Sequence, residues 1–370
     1  MADVIPSQRL HSLDALRGFD MFWIMGGERI FHALSKITDN PFWNGLSFQF
    51  SHPDWNGFRF YDLIFPLFLF IAGVATPYSL GRRIEKGYSK NELLWHVIKR
   101  GLILVVLGVI YNNGLVIKPL SEIRFPSVLG RIGLAYMFAN IIFLYTKQKG
   151  QMIWAGGLLL GYWLLLLFTS SPGHAPGDLS LEGNFVSYAD RLIIPGHLYV
   201  NNMHDPEGLV ATLPAIATGL LGILTGNFLK HGTIAPVKKS GRLFLAGIVF
   251  IAVSAIWNIV FPYNKNLWSS SFTMLVGGIS MVLLSLFYYI IDAKGYKKWS
   301  FFFVVIGMNS ILIYMSGHFI DWRYSTESFF KWLIQLSGER YGILTFACCY
   351  IAVKWTFLYI LYKKKMFLKV

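Results

Sequence analysis

About ten apolar stretches, each close to the ~20 residues that cross a ~30 Å hydrocarbon layer, recur along this 370-residue chain. They fall near 12–34, 59–80, 92–114, 127–146, 151–169, 209–229, 241–262, 271–291, 299–320 and 342–362. A backbone that enters lipid must satisfy its own hydrogen bonds, so only helices or a closed barrel remain. The runs are continuous rather than alternating, which removes the barrel. A soluble helical protein is set aside because charged residues make up 14%, against roughly 25% in soluble domains. The expectation is one all-α polytopic membrane domain over 1–370 with about ten transmembrane helices. Its insertions would be a long loop over 170–208 and an amphipathic helix over 322–338 lying at the interface.

The charges fix an orientation. Lysine and arginine gather in every second loop: Arg82, Arg83, Lys86 and Lys90; Lys147 and Lys149; Lys230, Lys238 and Lys239; Lys294, Lys297 and Lys298; and a tail with Lys363, Lys364, Lys365 and Lys369. The other loops, 35–58, 115–126, 170–208, 263–270 and 321–341, carry no such basic cluster, and the longest, 170–208, is acidic. By the positive-inside bias both termini are cytoplasmic and the second set faces outward. The same distribution accounts for the net charge of +14 without a nucleic-acid partner. The first apolar run has no small-residue cleavage pattern after it and reads as a retained span. Cys348 and Cys349 are adjacent within an apolar run, lack metal-ligand spacing and read as small buried hydrophobes; no metal is expected.

Against this background the polar residues within or beside spans stand out. In SHPDWNGFRFYDLIFPLFLFIAG (51–73), His52 opens a polar loop, and Asp62 follows at the start of a span. Ionisable groups at membrane depth are expensive and mark sites. Glu28, His52, Asp62, Arg131, Asp205, Glu207, Asn264, Lys265, Asn266, Asn309 and His318 all fall in the outer half under this topology. One polar cavity opening outward would gather them. Each has a plainer reading too. His52 could bond a loop neighbour, Asp62 and Arg131 could form a structural pair, and Asn309 could be interhelical glue. Asp205-Pro206-Glu207 has the form of a helix start. In the first span Arg17 can meet Asp14 and Asp20 at i,i+3. Gly26-Gly27 permits close helix approach or a break.

The segments SLDALRGFDMFWIM, SHPDWNGFRFYDLIFPLFLFIAG, SVLGRIGLAYMF, YADRLIIPGHLY, DPEGLVATLPAIATGLLGILTG, FPYNKNLWSSSFTML and GMNSILIYMSGH follow one another along nearly the whole chain. As an ordered set they resemble the heparan-α-glucosaminide N-acetyltransferase family and its bacterial relatives, among the transmembrane acyltransferases. Lysosomal members carry an additional N-terminal lumenal segment and span that the sequence read here does not include. The resemblance implies transfer of an acetyl group from acetyl-CoA to the amine of an amino sugar or envelope glycan on the non-cytoplasmic side. It implies His52 as the active-site histidine, with Trp55, Asn56 and Gly57 matching. A second active-site residue of the family, an asparagine, corresponds to Glu28.

Acetyl transfer to an amine needs a proton acceptor, a polarised thioester and aligned reactants. His52 would handle the proton or carry the acetyl group. Asn56, Asn264 and Asn309 are candidate donors to the carbonyl or to sugar hydroxyls. Arg17, Arg131 and Lys265 are candidates for CoA phosphates, and Glu28 and Asp62 for the amine or for orienting His52. Asp54, Asp205, Glu207, Asn266 and His318 would support the site. Expected partners are membrane lipid, acetyl-CoA and the acceptor, with a homodimer allowed. The absence of glycosylation sequons suits a bacterial inner membrane. Two rival readings are a transporter of an amino sugar, which the lack of an internal repeat weakens, and a non-catalytic membrane component.

Overall fold

The computed structural model describes residues 10–38, 40–230 and 232–368, so Lys369 of the basic tail lies outside the described residues. The described chain is helical. In order the helices are α1 (His11–Phe22), α2 (Glu28–Thr38), α3 (Pro41–Gln49), α4 (Ile64–Glu85), α5 (Lys90–Asn113), α6 (Val128–Tyr145), α7 (Gln148–Phe168), α8 (Phe185–Ile193), α9 (Thr212–Lys230), α10 (Pro236–Asn258), α11 (Ser270–Phe287), α12 (Phe301–Gly307), α13 (Ser310–Phe319), α14 (Trp322–Leu336) and α15 (Gly338–Lys363).

Eight of these, α4, α5, α6, α7, α9, α10, α11 and α15, are long and apolar enough to cross a membrane, and α12 with α13 makes a ninth, bent by 64°. The protein is therefore an integral membrane protein. The stretch expected as the first span is helical as α1 and α2, but it does not meet the same apolar criterion among the described residues. Its charges, including Asp14, Arg17, Glu28 and Arg29, keep it from doing so.

Burial separates an inner layer from a sheath. The apolar stretch of α9 is 78% buried and that of α4 is 72%, whereas α10 shows 22% and α5 and α7 28%. Lipid tails give no hydrophobic drive for helices to associate, so close van der Waals approach has to supply it. The α4–α9 seam achieves this with glycine. A Cβ on Gly222 would lie 2.2 Å from the Phe70 carbonyl oxygen, and one on Gly73 2.2 Å from that of Gly219. α1 and α12 meet the same way, Gly307 against the Asp14 carbonyl.

Two breaks bear on the site. Between α1 and α2 the backbone widens over Trp23–Gly27, with Gly26 at φ 130°. The Met25 carbonyl accepts a 2.9 Å bond from Lys354 Nζ, which is buried on α15 and lies 4.1 Å from the Tyr350 ring centroid. A lysine at membrane depth is thus accounted for as the cap of a broken helix. Between α12 and α13 stands Asn309. Its Nδ2 donates to the Met366 carbonyl at 3.0 Å, and its Oδ1 accepts from Leu368 N–H at 3.0 Å.

The expected amphipathic helix is present as α14, with Phe329, Trp332 and Leu336 exposed. It packs on α15. Of the two cysteines, Cys349 is buried as expected, but Cys348 is exposed on the outer side of α15, because adjacent helical positions point about 100° apart.

Gly222→Val should overpack the α4–α9 seam and cost about 1–3 kcal/mol. Thermal unfolding in detergent should show a lowered Tm, while a variant at Gly156, which has nothing within 4 Å of its would-be Cβ, should leave it unchanged.

Candidate active site at the loop end of the bundle

Four loops meet at one end: the one leading into α4, and those joining α5 to α6, α7 to α9, and α10 to α11. Between them is a cavity of about 460 Å³ whose wall includes His52, Asp62, Arg124, Tyr199, Glu207 and Lys265. His318 marks the same end. A Cβ on Gly114 would stand 3.4 Å from its Nε2. The five loops that lack a basic cluster thus share one end, as the charge alternation requires.

The centre is a histidine–carboxylate pair. Asp62 is buried in the turn before α4. Its Oδ1 accepts the Nδ1–H of His52 at 2.6 Å, and its Oδ2 accepts the Arg59 backbone N–H at 2.9 Å. A carboxylate only accepts, so the shared proton sits on Nδ1 and the lone pair is left on Nε2. Arg59 also donates to the His52 carbonyl at 2.8 Å and fixes the loop. His52 itself is half exposed, with its ring 5.1 Å from that of Tyr61. Lys265 Nζ stands 3.5 Å from Asp62 Oδ1 and 3.3 Å from each ring nitrogen of His52. With the ring proton on Nδ1, only Nε2 can accept from that ammonium.

A cage of backbone contacts holds the two facing loops. Gly57 N–H donates to the Tyr263 carbonyl at 2.7 Å. Asn264 Nδ2 donates to Asn56 Oδ1 at 3.0 Å while its Oδ1 accepts Leu267 N–H at 2.8 Å. Asn264 therefore spends its amide on Asn56 and on backbone, and Asn56 commits its Oδ1. Trp55 Nε1 donates to the Leu179 carbonyl at 2.8 Å and ties in the long 170–208 loop.

The opposite wall is an ionic cluster. Arg124 forks onto both oxygens of Asp205 at 2.8 Å and onto Glu207 Oε2 at 2.6 Å, with its guanidinium 4.5 Å from the Tyr199 ring centroid. Asp205 also accepts the backbone N–H groups of Tyr199 and Glu207, so the expected helix-start role becomes a loop clamp instead. Burial pushes the Glu207 carboxyl up, with Arg131 and Arg124 working against that shift. Burial likewise pushes the Lys265 ammonium down, with Asp62 and Glu207 opposing it. Both groups line the cavity, and both are costly to keep charged there.

Several expected members sit elsewhere. Arg131 does not pair with Asp62; it donates to the Gly208 carbonyl at 2.9 Å and lies 5.0 Å from the Trp268 ring centroid. Arg17 is at the other end of the bundle, 3.5 Å from Asp14. Asn309 is engaged with the chain's tail. Glu28 stands beside Arg29 at 3.8 Å, acts electrostatically on Tyr61, and lines no part of the His52 cavity. His318 neighbours Tyr111, ring centroids 5.7 Å apart. Asp54 and Asn266 do line the cavity. Arg124, Arg59 and Tyr199 were missed. Arg124 was detectable in principle, as an arginine in a loop that the positive-inside bias should leave neutral, opposite an acidic Asp205-Pro206-Glu207.

Below the cavity two more follow. A small one of about 30 Å³, lined by apolar groups and Tyr314, shares Val128 with it. A third of about 240 Å³ shares Phe68, Leu129, Ile132 and Ile311 with the small one and reaches Arg17 and Arg100. Wide polar ends thus flank a narrow apolar waist.

The fold and the site define a polytopic helical membrane protein with a histidine–aspartate pair at one end of a row of three cavities that share wall residues. Comparison places it beside named proteins. The chain is similar to the mouse (Mus musculus) heparan-alpha-glucosaminide N-acetyltransferase, 30% identical over 425 residues, covering 100% of this chain and 62% of the mouse protein. The human (Homo sapiens) protein of that name is 28% identical over 415 residues, covering 98% and 60%. The resemblance read from the motifs is thereby borne out over the whole chain, which spans about three-fifths of the length of these relatives. Residues 9–175 also match the model of a domain of unknown function (DUF5009).

The loop clamp carries a pH signature. His204 is buried against Ser187 Oγ at 2.8 Å, and burial holds its imidazole down at about 4, below the ordinary 6.5. The unfolded chain gains a proton near 6.5 that the folded one refuses until about 4, so stability contributed here is present above 6.5 and lost as pH falls toward 4. Asp190, raised by burial to about 6, has the opposite slope between 3.8 and 6. It is common to wild type and His204→Gln and cancels in their difference. The wild type should lose more Tm than His204→Gln between those pH values.

Proposed function

We propose that this protein is a membrane acetyltransferase that takes acetyl from acetyl-CoA and delivers it to the amine of an amino sugar or envelope glycan. The observation that carries the reading is the His52–Asp62 pair facing a polar cavity, with a row of cavities leading from it to the opposite, basic end. The names of the similar proteins support the class of reaction.

In this reading both termini are cytoplasmic and the His52 cavity opens outward. The donor enters from the basic end, where Arg17 and Arg100 face its phosphates. The waist is apolar and excludes phosphate, and at about 30 Å³ it has to widen to pass the donor's uncharged alkyl-amide arm. His52 Nε2 then meets the thioester, while Asp62 holds the ring's tautomer and orientation. In direct transfer, Nε2 removes the proton as the amine nitrogen bonds to the carbonyl carbon. The C–S bond breaks, and the proton passes to the thiolate. In the two-step form, Nε2 bonds to the carbonyl carbon and the thiolate leaves and takes a proton from solvent; the amine then displaces the imidazole, whose freed Nε2 takes the proton the amine loses and returns it to solvent. Either way the carbonyl oxygen gains negative charge, and the Lys265 ammonium is the cation nearest Nε2 that can offset it. Glu207 and Asp54 are the acids of the cavity available to a cationic acceptor.

Purified protein with labelled acetyl-CoA and a panel of amino sugars should yield labelled product. His52→Ala should abolish transfer. Asp62→Asn should reduce it by about 10²-fold or more, with KM for the donor little changed. Absence of transfer by wild type, or activity of His52→Ala equal to wild type, would contradict the proposal. Solute uptake by proteoliposomes without acetyl-CoA would favour a transporter.

A further inference from the structure

The segment after α15 folds back onto the bundle. After α15 the backbone reverses at Lys365, which adopts φ 56°, and Met366 N–H closes the turn on the Leu361 carbonyl at 2.9 Å. The returning strand is seated on Asn309, 1% exposed, whose amide receives and donates one backbone bond at 3.0 Å each. The two residues that follow the turn point into two different cavities. Leu368 lines the 240 Å³ cavity that holds Arg17 and Arg100. Phe367 lines a neighbouring cavity of about 620 Å³ with Lys297, Lys363 and Lys365. Met308 borders both. The tail is therefore the partition between the inner end of the cavity row and a wide basic vestibule.

We propose that Met366–Leu368 is a strap that closes the inner entrance, and that its release from Asn309 joins the two cavities and admits the acyl donor. This rests on the reading of the basic end as the donor side. The seat suits a reversible closure. A single side-chain amide satisfies both backbone groups of the strap, in the manner of one rung of a β-ladder, and water can satisfy the same groups once it lifts. The merged space would set Lys297, Lys363 and Lys365 beside Arg100 and the Asp14–Arg17 pair, a net-positive lining that suits the phosphates of a nucleotide-bearing donor. While the strap is seated, donor affinity is reduced by the fraction of time the entrance is open.

The test uses the full chain with Cys348→Ala and Cys349→Ala and a reporter, Ala72→Cys, on the wall of the inner cavity. Its reaction with a membrane-impermeant methanethiosulfonate is timed in the intact protein, in Asn309→Ala and after deletion of 366–370. Release should speed labelling about tenfold in both variants, and CoA should slow it in all three. A second reporter, Ala215→Cys, buried in α9, should stay unreactive. Equal rates at Ala72→Cys would overturn the strap, as would a rise shared by Ala215→Cys. Faster labelling that CoA does not slow would leave the strap standing and defeat the donor reading instead.

Discussion

A carboxylate with no exposed surface, set where a helix enters a membrane, has to be compensated, and Asp62 organises the site through that requirement. Its oxygens take the His52 ring proton and the Arg59 backbone, and Lys265 supplies the counter-charge. Each partner belongs to a different part of the chain's local geometry. Satisfying one buried acid therefore folds the 51–59 loop, draws in the α10–α11 loop and fixes which nitrogen of His52 is left for chemistry. Removing the acid's partners would leave a buried charge unpaired, which costs far more than a surface pair contributes.

The rest of the loop end around His52 is built on the same logic at larger scale. The 170–208 loop buries Val186, Ala189, Ile194 and Leu198, and polar groups pin it further. Asp205 and Glu207 take Arg124, Asp190 takes the backbone of Leu209 and Val210, and Trp55 reaches the Leu179 carbonyl. The membrane-embedded half works differently. There, glycine seams bring backbones together; Lys354 caps the Met25 carbonyl at one helix break, and at the other the Asn309 side chain holds the backbone of the tail. Rigid seams below and ionic clamps above hold the His52 cavity open between them.

Much of this was legible in the sequence, because lipid leaves the chain little choice. Continuous apolar runs gave the helices, and alternating loop charge gave which loops share an end. His52, Asp62, Lys265 and Glu207 could be grouped because each was a polar residue at a common depth. Depth is one coordinate, however, and position around the bundle is another. Arg131, Asn309 and Glu28 were grouped by depth, yet the first turns to Gly208, the second to the tail and the third toward Arg29 and Tyr61. Side chains of one level can point to opposite sides of a helix, and only packing decides which. Arg124 escaped notice because its partners lie about eighty residues away, a pairing that no local pattern encodes.

The central claim is that His52 and Asp62 act on an acetyl group that arrives from the other end of the bundle. Sealed proteoliposomes of known orientation test it most directly, with labelled acetyl-CoA confined to the side of the basic loops and an amino sugar to the side of His52. The account predicts labelled acceptor on the His52 side only, with CoA remaining where it was supplied. Product formed only when donor and acceptor share one side, or CoA recovered on the His52 side, would contradict it.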